Sequence, residues 1–100
     1  MTSTADLIAK SQEVIATPTG DDALEGRVDS LKVAINAWVA QYRRDDRFAG
    51  RPSFSNMYSA VNALSGHYNS FGVTSRIPKK RLDRIEAEVA QANKFLQMGR

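Results

Sequence analysis

Apolar residues recur at alternating intervals of four and three along most of the chain, and breakers cut the pattern into four segments. The breakers are Pro18-Thr19-Gly20, the stretch from Asp45 to Pro52, and the stretch from Gly72 to Pro78. In the second segment Leu24, Val28, Leu31, Ile35, Trp38 and Tyr42 share one helical stripe. The third carries Phe54, Met57, Tyr58, Val61, Leu64, Tyr68 and Phe71, with Ser53 as the expected N-cap and Gly72 as the stop. The fourth opens at Pro78, which suits a first helical position, and its stripe is Leu82, Ile85, Val89, Ala92 and Leu96. In the first, Leu7, Ile8, Val14 and Ile15 frame Ser11 on a small, polar background, which predicts a shorter and less stable helix.

These periods predict helices over 4–17, 21–45, 53–71 and 78–98, and short connections between them make neighbours antiparallel. The expected fold is all-α: a single up-down-up-down four-helix bundle over residues 1–100. Trp38 and Phe54, both on stripes, are expected in or at the edge of the core. The composition, 42% hydrophobic and 25% charged, is that of an ordinary water-soluble domain of 100 residues. No apolar run reaches the ~20 residues of a membrane helix, so no membrane insertion is expected.

Chemistry is sparse. With no cysteine and a single histidine, the chain lacks the convergent ligands of a metal site and the nucleophile and base of a catalytic one. Its glycines form no phosphate-binding motif, so no cofactor is expected. His67 falls on the flank of the third helix, where a hydrogen bond to a neighbouring loop is the ordinary role and a partner contact the alternative. Gly66 breaks the helical preference of its segment off the stripe, which fits close approach of another helix or of a partner's backbone.

Charge is unevenly placed. Residues 1–42 hold three basic and six acidic side chains, and residues 43–100 hold eleven basic and five acidic, so a net +3 divides into −3 and +6. Arg43 and Arg44 end the second helix, where the helix dipole favours cations. Lys79, Lys80 and Arg81 begin the fourth, where it disfavours them. Pairing of Lys79 with Asp83 and of Arg84 with Glu88 offsets part of that cost, but Lys80 and Arg81 have no local acid and point to an external anionic surface. Because the C-terminus of helix two and the N-terminus of helix four lie at opposite poles of such a bundle, one compact partner segment is not expected to neutralise both clusters.

The order and spacing of Tyr42-Arg43-Arg44-Asp45, Ala49-Gly50, Ser53-Phe54, Met57-Tyr58, Asn62-Ala63-Leu64-Ser65-Gly66-His67-Tyr68, Ser70-Phe71-Gly72, Ile77-Pro78, Lys80-Arg81 and Gly99-Arg100 resemble the Psb-twenty-seven family. That family comprises small lumenal assembly and repair factors of photosystem II. The likeness is specific from Trp38 to Arg100 and general before it. It implies a non-catalytic, cofactor-free four-helix bundle, monomeric and located in the thylakoid lumen. Such a protein binds transiently to photosystem II intermediates before the manganese cluster is complete. The docking partner implied is the photosystem II core, chiefly the lumenal loop of the CP-forty-three antenna subunit.

Two departures stand out. Bacterial members carry a lipid-modified cysteine that this chain lacks, which implies a chloroplast member without its transit peptide, or a chain trimmed at its start. Arg76 stands where members often have a proline two residues before Pro78. The protein-binding residues expected are Lys80 and Arg81 first, then Arg43, Arg44 and Asp45, with His67 beside them. A rival expectation from the basic run Arg76 to Arg84 is a small helical nucleic-acid-binding module, although no helix-turn-helix or aromatic platform accompanies it.

Overall fold

A computed structural model describes residues 3–44, 47 and 50–100. It contains the helices α1 (Thr4–Ala16), α2 (Ala23–Arg43), α3 (Pro52–Phe71) and α4 (Lys79–Gln97), with no strand among the described residues. The all-α four-helix bundle expected from the periodicity is the fold observed. Cross-helix bonds set the directions: Lys10 Nζ donates to Ser30 Oγ at 3.1 Å and Arg27 Nη1 to Thr17 Oγ1 at 2.6 Å, so α1 and α2 are antiparallel. Ser59 Oγ to Glu88 Oε1 (3.0 Å) and Ser53 Oγ to the Arg100 carbonyl (2.6 Å) do the same for α3 and α4.

All six stripe residues of α2 are buried, and Trp38 is 0% exposed. Its indole stacks on Phe54 with centroids 4.6 Å apart, and Tyr42 meets both rings edge-on. Trp38 is therefore core and Phe54 core-edge, as their positions predict. The α4 stripe also holds, with Ile85, Val89 and Ala92 buried and Leu82 and Leu96 packed against them. In α3 the pattern reads less cleanly. Tyr58 and Phe71 are 38% and 59% exposed, while Ala60 and His67, outside the expected stripe, are buried. Phe71 continues the helical period but is the last residue of its helix, where the chain turns off at Gly72 (φ 77°) and leaves the ring only partly covered.

Helix α1 is the shortest of these four, 13 residues, but its position differs from what its thin stripe suggests. It packs against all three other helices, whereas among the described residues the backbone of α2 comes close to α1 and α3 and not to α4. Small side chains allow this: Ser11 is fully buried beside Leu7 and Val14. The start of α1 is also closed by a reciprocal pair, Asp6 N–H to Ser3 Oγ (3.1 Å) and Ser3 N–H to Asp6 Oδ2 (3.2 Å). One residue further, Thr4 Oγ1 accepts from Trp38 Nε1 (3.1 Å) and donates to the Tyr42 hydroxyl (3.2 Å).

Helices α2 and α4 fall one or two residues inside their expected spans at each end, α1 ends one residue early, and α3 begins one residue before its expected start. Two caps differ in kind. Ser53 is not the N-cap of α3: Arg51 is, with Pro52 at the first helical position, and Ser53 is buried with its hydroxyl committed to Arg100. Pro78 is itself the N-cap of α4, so that Lys79 begins the helix. The end of the expected second helix at Asp45 lies outside the described residues.

Candidate protein-docking surface

The start of α4 is held from two sides. His67 on α3 is 3% exposed, and its Nε2 lies 2.8 Å from the Ser75 carbonyl, a contact that makes Nε2 the protonated nitrogen. Two residues on, Ile77 inserts into the core. Together they fix the 72–78 loop and with it the direction of α4. The hydrogen bond to a loop expected of His67 is thus present. Being buried, the ring acts on the cations by holding the loop and offers a partner little surface of its own.

Lys79, Lys80 and Arg81 are all exposed, and no described residue forms an ion pair with them. The expected Lys79–Asp83 pair is not made, while Arg84 Nε reaches Glu88 Oε1 at 3.7 Å. No side chain caps this helix and no acid lies in its first turn. The unmade N–H groups of the first turn and three cations therefore face solvent together, a locally unfavourable arrangement whose field favours an anion.

Arg43 and Arg44 are exposed too, but at the other end of the molecule, where α2 finishes beside the start of α1 and Phe54. The two cationic clusters lie at opposite ends of the bundle, as the antiparallel topology requires, in a molecule 39 Å along its longest axis. Asp45, expected with this second pair, lies outside the described residues.

Between α3 and α4 runs a groove of about 560 Å³ that sequence reasoning did not anticipate. Gly66, Ser59, Asn62 and Ser70 line it from α3, and Arg81, Arg84 and Glu88 from α4. A Cβ built on Gly66 meets nothing within 4 Å, so no neighbouring helix requires the glycine. The one signal in the sequence was the glycine itself, off-stripe in a helix interior.

Among the described residues no three His, Cys, Asp or Glu side chains gather to hold a metal, and no helix is long and apolar enough to cross a membrane. What the surface offers is charge, a groove and an exposed phenyl ring, which are means of binding.

A sequence model of the family described as Photosystem II Pbs27 matches residues 1–96. The chain belongs to that family. The chain is 42% identical over 97% of its length to the chloroplastic photosystem II repair protein PSB27-H1 of Arabidopsis thaliana, and it spans 56% of that protein's length. It is 32% identical over 96% of its length to the photosystem II lipoprotein Psb27 of Synechocystis, spanning 71% of it. A crystal structure of PSB27 from Arabidopsis thaliana matches with a TM-score of 0.91 at 42% identity, covering 97% of this chain and 94% of that one. A solution structure of Psb27 from cyanobacterial photosystem II gives 0.85 at 32% identity, over 97% and 84%. Seen in this family's fold, the run from Asn62 to Tyr68 divides by helical face: Leu64, His67 and Tyr68 are buried, while Asn62 and Gly66 are exposed in the groove.

Proposed function

We propose that the chain is a non-catalytic assembly and repair factor for photosystem II. It binds transiently, as a monomer without a cofactor, to intermediates on the lumenal side of the thylakoid. The observation that carries this reading is membership of the Psb27 family over residues 1–96, whose similar members are named for photosystem II assembly or repair. The chloroplast lumen is the compartment proposed, since identity is higher to the chloroplastic relative than to the bacterial lipoproteins.

The partner region is the lumenal loop of the CP-forty-three subunit, engaged before the manganese cluster is complete. Lys80 and Arg81 supply the principal contacts, because their exposure without an ion pair among the described residues has no stabilising role in the fold itself. Arg43 and Arg44 are secondary, being placed where the α2 dipole already favours them.

A pull-down from thylakoid membranes tests the reading. Photosystem II core subunits, the CP-forty-three antenna among them, are expected in the bound fraction. If generic duplex DNA is bound instead, with a steep loss on raising salt, the chain is a nucleic-acid module and the proposal fails.

A further inference from the structure

The groove between α3 and α4 remains unexplained by the fold. A glycine in a helix interior lowers helix stability, and burial against a neighbour is its usual justification, which Gly66 lacks. The groove is bridged at one end by Ser59 and Glu88 and leads at the other to Arg81 and the exposed ring of Phe71. Glu88, the acid lining it, is engaged by both Ser59 and Arg84, so the uncompensated charge on its walls is that of Arg81. His67 also lines it, and the Nδ1 of this 97% buried residue has no hydrogen-bond partner.

We infer that this groove seats an extended acidic segment of the protein partner. The segment's backbone crosses α3 at Gly66, a carboxylate meets Arg81, and an apolar side chain covers Phe71. The charge of the walls selects an anion. The flat surface at Gly66 selects a backbone over a bulky side chain, and the phenyl ring calls for apolar contact as well as charge, which a protein segment supplies and a bare polyanion does not. The groove opens onto the Lys80 and Arg81 cluster, so a single segment engages both. This inference rests on the reading of the chain as a photosystem II docking protein.

Gly66→Leu and Phe71→Ser, each measured for affinity to purified photosystem II cores lacking the manganese cluster, test it. Leucine fills the groove while improving helix propensity, so the variant folds with an unchanged or raised melting temperature. Affinity is expected to fall by about tenfold or more with Gly66→Leu and by a smaller factor with Phe71→Ser. A synthetic peptide of Asp, Glu and Gly with one Phe is expected to compete with the cores for the unmodified chain. If the unmodified chain binds the cores and Gly66→Leu binds equally well, the groove is not the seat, although the docking function stands. If the unmodified chain itself fails to bind the cores, both fall.

Discussion

Helices α1 and α4 begin in opposite ways. At the start of α1, Ser3 and Asp6 satisfy one another's backbone N–H groups, and Thr4 is tied to Trp38 and Tyr42. At the start of α4 there is a proline, no side-chain cap, and three consecutive cations at the positive end of the dipole. The first is built for stability, with the side chains of Ser3, Thr4 and Asp6 answered from inside the molecule. The second leaves its field unanswered, at a cost of a few tenths of a kcal/mol or more per charge, and its direction is nevertheless fixed by His67 and Ile77. A rigidly placed but uncompensated charge cluster is what recognition of an outside anion requires.

The contrast is most severely tested at Trp38, on which the start of α1 depends. Trp38→Ala removes a fully buried indole and the donor to Thr4, and is expected to cost about 3–5 kcal/mol in chemical denaturation. A loss below about 1 kcal/mol would mean that α1 is not anchored there. Next in size is Ser3→Ala, expected to cost about 1 kcal/mol through the lost cap. Gly66→Ala is expected to move the other way, raising stability by up to about 1 kcal/mol, because the added methyl meets open space. Destabilisation by this change would reveal a close contact at the groove and remove the reason to regard the glycine as kept for a partner.

The smallest effect is one of pH. The Ser3 backbone N–H, then its hydroxyl, holds the Asp6 carboxyl below its ordinary value. A carboxylate with a lowered folded-state pKa contributes stability that is present above about pH 4 and is lost as pH falls through the folded value. Urea midpoints measured from pH 6 downward should therefore decline less steeply for Asp6→Asn than for the unmodified chain. Equal slopes would show that the cap does not persist in solution.

Periodicity alone sufficed for the fold, because the stripes of α2 and α4 are apolar at each position they bury. It failed where burial is decided by what lies beyond the helix: Phe71 keeps the period but is only partly covered, by the His67 ring, and His67 breaks the stripe yet is buried under the loop it binds. The thin stripe of α1 gave no sign of its position, because it is the small residues that let it sit against three helices. The reciprocal Ser3 and Asp6 cap is legible in the sequence as a Ser-x-x-Asp spacing. The cation cluster was visible through the dipole rule, but the groove beside it was not, since Ser59, Gly66 and Arg84 face one another only after α3 and α4 pack.

The central claim is that the cations at the start of α4 form the docking face, and those at the end of α2 do not. Affinity for photosystem II cores lacking the manganese cluster, measured side by side for Lys80→Glu/Arg81→Glu and Arg43→Glu/Arg44→Glu, addresses it directly. The first double variant is expected to lose about 1–3 kcal/mol of binding at low salt with its melting temperature unchanged or slightly raised, and the second to lose much less. Loss of affinity in the Arg43/Arg44 variant alone, with both proteins folded, would place the docking face at the opposite pole and contradict the account.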